Sequence, residues 1–183
     1  MYCPRLDHFV RLNQNGSVGK CGHMVDAKGF DSFEELEHSD WLKSIKDDMS
    51  KDQWPSECVR CQQSEQVKGE SIRTNSIGRH KLLKPIRSDY LIVGGVLDNV
   101  CNSACQSCNA GLSTKIGALE FRKDFPKVDN YDVFKKLPQD RIIELDVNGG
   151  EPTASKNYKR ILSHLPDNVK IVRMNTNGSR MIS

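Results

Sequence analysis

The second half of the chain alternates short apolar runs with segments of helical periodicity, and this pattern constrains the fold more than any other feature. Three apolar runs predict buried strands, at residues 90–97, 142–147 and 169–174. Segments with helical spacing separate or follow them, at residues 112–121, 131–137 and 155–165. Strands that alternate with helices are typical of βαβ units, so the sequence predicts an α/β fold with a parallel sheet.

The first part of the chain has a different pattern. Asn15-Gly16 stands between short apolar segments and predicts a β-hairpin, because both residues tolerate positive φ. Residues 31–53 predict one helix, with a possible capping box at Ser32 and Glu35. Its apolar residues, Trp41, Leu42, Ile45 and Met49, recur at helical spacing and are interpreted as core.

Residues 62–88 are polar, lack a clear apolar period and predict a linker with a helical start at 62–70. The predicted domain boundary lies near residue 80. The sequence therefore predicts a small module over 1–80 and an α/β domain over 81–183.

Charge and hydropathy narrow the functional classes. The net charge of +3 is small and the basic residues are scattered, so the composition does not indicate a nucleic-acid partner. No apolar run is long enough to span a bilayer, and residues 1–12 lack the apolar core of a secretory signal. We therefore expect a cytoplasmic protein without a membrane partner.

Seven cysteines fall into two sets, and the odd number argues against a fully paired disulfide framework. In a reducing cytosol disulfides are rare, so metal binding is the more informative interpretation. One set has four members in the first third of the chain, and the other has three members close together: Cys3, Cys21, Cys58 and Cys61, then Cys101, Cys105 and Cys108. The division suggests one closed metal site and one open site.

The spacing Cys101-x3-Cys105-x2-Cys108 places three thiolates in one loop directly after a predicted strand. Three soft ligands can hold an iron–sulfur cluster that normally takes four cysteines, which leaves one iron open to another molecule. Two alternatives stay open from the residues alone. One is a zinc site with a distant fourth ligand, and the other is three unrelated thiols.

This loop resembles the Cys-x3-Cys-x2-Cys motif of the radical S-adenosylmethionine (radical SAM) family. Gly149-Gly150-Glu151-Pro152, which follows the second strand, resembles the family's Gly-Gly-Glu-Pro motif. Thr176-Asn177-Gly178, which follows the third strand, resembles the segment near the cofactor's ribose. One residue departs from the family pattern, since Ser107 stands where a bulky residue usually packs on the adenine.

The resemblance implies a partial (β/α) barrel of radical SAM type with a [4Fe–4S] cluster on Cys101, Cys105 and Cys108. It implies that S-adenosylmethionine binds the open iron and is cleaved reductively to a 5′-deoxyadenosyl radical. Gly149, Gly150, Glu151 and Pro152, with Thr176 and Asn177, are the implied cofactor-binding residues. No protein side chain is assigned a catalytic role. A flavodoxin- or ferredoxin-type reductant is the implied partner.

The four N-terminal cysteines resemble the auxiliary-cluster modules called SPASM or twitch domains. The shared features are a cysteine on each side of a hairpin, then a helix and Trp54-Pro55-x2-Cys58-x2-Cys61. The resemblance implies a second [4Fe–4S] cluster on Cys3, Cys21, Cys58 and Cys61. It also implies a small Cys-rich α+β module before the barrel, although in the family the module usually follows it. A zinc ribbon and purely structural thiols remain alternatives.

The barrel resemblance covers three βα units of the six that the family has, so the barrel is apparently truncated after the third strand. We therefore expect a fragment of a longer reading frame, or completion by another chain. Auxiliary modules often accompany peptide or protein substrates, and the sequence does not name the substrate. Two non-enzymatic alternatives stay open: a zinc-binding module and an electron-transfer iron–sulfur protein.

Overall fold

The computed structural model describes residues 1–179, and its centre is a five-stranded sheet with strand order β2-β1-β3-β4-β5. The strands are β1 (Phe9–Leu12), β2 (Val18–Gly19), β3 (Leu91–Val96), β4 (Ile142–Asn148) and β5 (Ile171–Met174). β2 pairs antiparallel with β1, whereas β1, β3, β4 and β5 are mutually parallel neighbours. The predicted α/β class with a mostly parallel sheet is confirmed.

Eight helices connect and flank these strands in the described part of the chain. They are α1 (Arg5–His8), α2 (Phe33–His38), α3 (Asp40–Ser50), α4 (Val59–Lys68), α5 (Ile72–Leu83), α6 (Thr114–Phe121), α7 (Tyr131–Lys135) and α8 (Lys156–Leu162). Short 3₁₀ turns occupy Ser56–Cys58, Ala110–Leu112 and Gln139–Arg141. The three helices predicted after residue 110 are all present, each somewhat shorter than predicted.

The N-terminal hairpin joins the main sheet, which the sequence did not predict. The hairpin itself is confirmed, with Arg11 opposite Gly19. β1 then runs parallel to β3, with Phe9 opposite Ile92. The predicted division into 1–80 and 81–183 therefore does not separate two sheets. It stays a prediction about modules, and residues 180–183 lie outside the described part.

The helix predicted over 31–53 is two helices. Ser39 is extended at φ −65° and ψ 141°, and its hydroxyl accepts a hydrogen bond from the Leu42 N–H at 3.2 Å. Ser39 therefore caps α3 and ends α2, because a side-chain oxygen competes with backbone continuation. At the start of α2, Ser32 accepts from the Glu35 N–H at 3.1 Å, but Glu35 accepts from Asp31 instead of Ser32. The capping box is therefore only half formed.

The helical start predicted at 62–70 is confirmed as part of α4, but the linker predicted after it is wrong, because most of it is helix α5. Ser71 caps α5 in a reciprocal box with Thr74. Leu83 at the other end is buried in a cluster with Tyr90 and Ile143. Between them, Arg79 forms an ion pair with the buried carboxylate of Glu144. This helix carries no continuous apolar stripe, so apolar periodicity does not detect it. A few long-range contacts stabilise it instead.

Two apolar clusters larger than that of Leu83, Tyr90 and Ile143 form most of the core. The larger packs helices against the sheet, with Leu12, Val93 and Leu145 among its buried members. The second surrounds α3 and contains the predicted stripe residues Leu42, Ile45 and Met49, together with Cys3, Cys21 and Cys58. Interpreting that stripe as core is confirmed. No helix within residues 1–179 is both long and apolar enough to cross a membrane.

Candidate functional site

The three segments that carry the predicted motifs meet at one edge of the sheet. The cysteine loop follows β3, the Gly-Gly-Glu-Pro turn follows β4 and the Thr-Asn-Gly segment follows β5. Because these strands are parallel, their carboxyl ends lie side by side, which is where open α/β sheets place ligand sites. A cavity of about 660 Å³ opens there and is lined by eight of the predicted residues: Cys101, Cys105, Cys108, Gly149, Gly150, Glu151, Thr176 and Asn177. Pro152 is buried behind them and does not line the cavity.

The loop cysteines are accessible. Cys105 is exposed, and Cys101 and Cys108 are half-buried. The Cys101 N–H donates to the Thr114 hydroxyl at 3.2 Å, and the Cys108 N–H donates to the Cys105 carbonyl at 3.1 Å. The Ser103 N–H also lies 3.5 Å from the Cys101 sulfur. Backbone hydrogen bonds therefore shape the loop, and all three of its cysteines line the cavity.

Buried polar residues anchor the start of this loop. Asp98 is 1% exposed, and its carboxylate accepts from the Val100 N–H and from the Ser155 hydroxyl at 2.7 Å. The Asn99 side chain donates to the Pro126 carbonyl at 3.0 Å and accepts from the Val128 N–H at 2.8 Å. These contacts link the end of β3 to two neighbouring segments. The cysteine loop therefore begins at a position that hydrogen bonds hold in place.

Gly149 and Gly150 allow two backbone segments to cross closely. Their φ angles are +86° and +62°, in the region that favours glycine. A Cβ at Gly150 would lie 2.9 Å from the Val100 carbonyl oxygen, and one at Gly149 would lie 3.0 Å from the Asp98 carbonyl oxygen. The Glu151 N–H donates to that Val100 carbonyl at 2.8 Å. The glycines therefore bring the β4 turn against the base of the cysteine loop.

The carboxylate of Glu151 is 2% exposed and joins the ends of β4 and β5. Oε1 accepts from the Thr153 N–H at 3.1 Å, the Thr153 hydroxyl at 2.7 Å and the Thr176 hydroxyl at 2.6 Å. Oε2 accepts from the Asn177 N–H at 2.7 Å. Burial alone would raise the pKa of Glu151, but the donors from Asn177, Thr176 and Thr153 outweigh it and lower the pKa. Glu151 is therefore ionised near neutral pH.

Asn177 links the β5 end to the cysteine loop. Its side-chain amide donates to the Asn102 side chain at 2.9 Å and to the Ser103 hydroxyl at 2.8 Å. The side-chain oxygen Oδ1 of Asn177 accepts from the Ser179 N–H at 2.9 Å. The Thr176 hydroxyl donates a hydrogen bond to Oε1 of Glu151. Both residues therefore brace the cavity rim, and their predicted contact with a cofactor stays a prediction.

The four N-terminal cysteines also converge. Each is 7–8% exposed, and together they line a small cavity of about 20 Å³ between α1, α3 and α4. Burial raises the pKa of Cys3 to about 11 and that of Cys58 to about 12, and neighbouring thiols add to both shifts. The His23 N–H lies 3.4 Å from the Cys21 sulfur, a contact that favours a thiolate.

The donor set of this small cavity suits a soft metal. Four thiols are enough for a tetrahedral zinc or a four-iron cluster, and a bound cation would offset the cost of ionising them in a buried place. In the part of the chain that the structure describes, no three Cys, His, Asp or Glu side chains already form a single-ion site.

Comparisons with family models, curated proteins and solved structures found no match. The functional argument for this chain therefore depends on its own residues and their arrangement.

Sequence reasoning missed two groups of residues, one that anchors the cysteine loop and one that lines the larger cavity. Asp98 and Asn99 carry a recognisable signal, since two polar residues end an apolar run just before Cys101. Arg5 and Arg11 line the cavity itself, although they belong to the N-terminal module. No local signal places them there, because their position follows from the pairing of β1 with β3.

Proposed function

We propose that this chain is a radical SAM enzyme. The observation that supports the proposal most strongly is the convergence of three motifs on one cavity. Cys101, Cys105 and Cys108 line the same cavity as the Gly149–Glu151 turn and the Thr176-Asn177 segment. These motifs are separated by tens of residues in the sequence, so their meeting is not a consequence of sequence proximity.

The three loop thiols would hold a [4Fe–4S] cluster with one iron left open. When bound there, the cluster would supply the electron that cleaves S-adenosylmethionine reductively to methionine and a 5′-deoxyadenosyl radical. The chain's own residues would bind and orient the cofactor and limit access of water. An external flavodoxin- or ferredoxin-type protein would supply the electron.

Glu151 is suited to receive the ammonium group of the methionine moiety. Three of its four donors lie on Oε1, so Oε2 with its single donor from Asn177 retains an acceptor position. Because the pKa of Glu151 is lowered, its carboxylate is already charged before the ammonium group binds. The hydrogen bonds to Thr176 and Asn177 would fix that oxygen in place.

The residue that usually packs on the adenine ring in this family is replaced here by Ser107, so other residues must make that contact. Ser107 lines the cavity but offers little apolar surface. Val96 and Leu112 line the same cavity and supply aliphatic side chains next to the Gly149 turn. We assign the apolar contact with the adenine ring to these two residues.

We further propose that Cys3, Cys21, Cys58 and Cys61 hold a second, auxiliary [4Fe–4S] cluster in a SPASM/twitch-like module. The support is that four buried thiols from separate parts of the first 61 residues line one small cavity. We also propose that the substrate is a peptide or protein and that the chain is located in the cytoplasm.

The decisive experiment is anaerobic reconstitution with iron and sulfide, followed by metal analysis and an assay for 5′-deoxyadenosine. We expect about eight irons per chain, as two four-iron clusters. A Cys101, Cys105, Cys108→Ala triple variant should retain about half of the iron and form no 5′-deoxyadenosine. A matched variant of Cys3, Cys21, Cys58 and Cys61 should lose the other half.

Three outcomes would contradict the proposal. Zinc in the three-cysteine loop would favour a non-enzymatic metal-binding module. Clusters whose electron paramagnetic resonance spectrum does not respond to S-adenosylmethionine would favour an electron-transfer protein. Equal iron content in the native chain and the triple variant would show that the loop holds no cluster.

A further inference from the structure

The larger cavity has a basic part that the proposed cofactor does not account for. Arg5 in α1 and Arg11 in β1 both line it, next to residues of the cysteine loop. Both residues are half-buried, and the buried part of Arg5 includes the Nε atom of its guanidinium group. An arginine stays charged under all ordinary conditions, so each carries a full positive charge into this space.

Neither arginine has an acidic partner among residues 1–179. Most other arginines in that range lie within 4.0 Å of a carboxylate, namely Arg73, Arg79, Arg87, Arg141, Arg160 and Arg173. The Nε atom of Arg5 is buried without any hydrogen-bond partner. Its Cζ lies 3.5 Å from the centre of the Phe9 ring, which holds the guanidinium in place without satisfying its N–H groups.

Arg11 is held by a close backbone approach. A Cβ at Gly95 would lie 2.9 Å from Arg11 Cγ, so the arginine stem packs where only glycine leaves room. A Cβ at Gly22 would lie 3.7 Å from the Arg11 Nη1 atom. The packed aliphatic stem therefore places the Arg11 guanidinium between β3 and the Cys21 turn.

The acidic groups of the cavity do not neutralise these two cations. Glu151 already accepts hydrogen bonds from Thr153, Thr176 and Asn177. Asp146 lines the cavity but forms no ion pair within 4.0 Å with Arg5 or Arg11. A partly buried cation without a partner is costly, and a ligand with anionic oxygens would remove that cost.

We propose that Arg5 and Arg11 bind an oxyanion of the substrate, a carboxylate or a phosphate, and thereby hold the substrate beside the cysteine loop. The planar guanidinium matches both kinds of oxyanion with paired hydrogen bonds. The assignment of this anion to a substrate rests on the proposed function, whereas the anion site itself does not.

The test is arginine labelling of the reconstituted full chain with phenylglyoxal, with the rate at each arginine measured by peptide mass spectrometry. Sodium acetate, sodium phosphate and sodium chloride are compared at equal ionic strength. We expect acetate or phosphate to slow labelling of Arg5 and Arg11 at least about threefold relative to chloride, since charge-assisted hydrogen bonds compete with the reagent. Arg122, which is exposed and outside the cavity, is the internal control and should not change.

The better-protecting anion identifies the source: acetate indicates a carboxylate substrate, and phosphate indicates a phosphorylated one. In Arg11→Gln, the anion concentration that half-protects Arg5 should rise about tenfold, the factor for one lost charge-assisted hydrogen bond. Arg122→Gln should leave it unchanged. Arg11→Lys, which keeps the charge and the stem, provides a second measurement if the glutamine variant does not fold.

Two outcomes overturn the inference. If neither anion protects Arg5 and Arg11, these residues form no oxyanion site. If S-adenosylmethionine alone protects them as well as the anions do, they bind the cofactor's carboxylate and not a substrate. The same samples are assayed for 5′-deoxyadenosine, so protection without that product leaves the anion site standing and refutes the proposed function. The product without protection refutes only the anion site.

Discussion

Replacing Glu151 with glutamine should destabilise the fold by about 3 kcal/mol, because one amide cannot replace four accepted hydrogen bonds. The amide oxygen can keep the three donors now on Oε1, from Thr153 and Thr176, but as neutral and weaker hydrogen bonds. The amide nitrogen would face the Asn177 N–H, so two donors would meet in a buried place. An unsatisfied buried donor costs about 1–3 kcal/mol, and the weakened bonds add to it.

Urea unfolding measures this loss as a lower midpoint with an unchanged slope, and we expect a shift of about 1–2 M. The matched control is Glu120→Gln, because Glu120 is exposed and outside this network. That control should stay within about 0.5 kcal/mol of the native chain. A Glu151→Gln variant as stable as the Glu120→Gln control would refute the bracing role.

The pH dependence gives a second check on the same carboxylate. The pKa of Glu151 in the folded chain lies below its ordinary value of 4.5, so the folded state binds this proton less readily than the unfolded state does. Its contribution is therefore complete above the unfolded pKa and is lost as the pH falls through the lower, folded pKa. The stability gap between native chain and Glu151→Gln should narrow below about pH 4.5 and stay constant above it. A gap that widens on acidification would contradict this.

Three further predictions follow from contacts elsewhere. Arg79→Met should cost about 3 kcal/mol in urea unfolding, because it leaves the buried Glu144 short of its main partner, and Arg79→Met with Glu144→Leu should recover most of the loss. Gly150→Ala should cost about 1–3 kcal/mol through positive φ and the 2.9 Å contact, whereas Gly78→Ala, on an open face of α5, should be neutral or stabilising. In the metal-free chain at pH 8, iodoacetamide should label the exposed Cys105 at least about tenfold faster than the buried N-terminal thiols, as judged by peptide mass spectrometry. Equal labelling rates would contradict the described burial.

Local periodicity was sufficient to predict β3, β4 and β5 and their parallel arrangement. The apolar runs that became β3, β4 and β5 are short, β-branched and bounded by turn residues. Once those strands are parallel, their carboxyl ends must share an edge, so Cys101, Glu151 and Asn177 had to come close.

Features that depend on a single distant contact were not predictable in this way. α5 forms although its surface is polar, because Arg79 reaches Glu144 and Leu83 packs on Tyr90. The break at Ser39 depends on one hydroxyl that caps α3. The basic part of the cavity depends on which strand pairs with β3. β1 has only four residues, and its hydrophobic pattern is too short to predict pairing with a strand so distant in the sequence.

The pairing of Phe9 with Ile92 also has a kinetic consequence. Closing a loop of this length costs chain entropy before the new hydrogen bonds repay it, so non-local parallel pairing slows folding. During synthesis, residues 9–12 emerge long before their neighbour in the sheet and must wait for it. The edge of β1 that will pair with β3 stays open in the meantime, and a partly made chain is most prone to self-association in that interval.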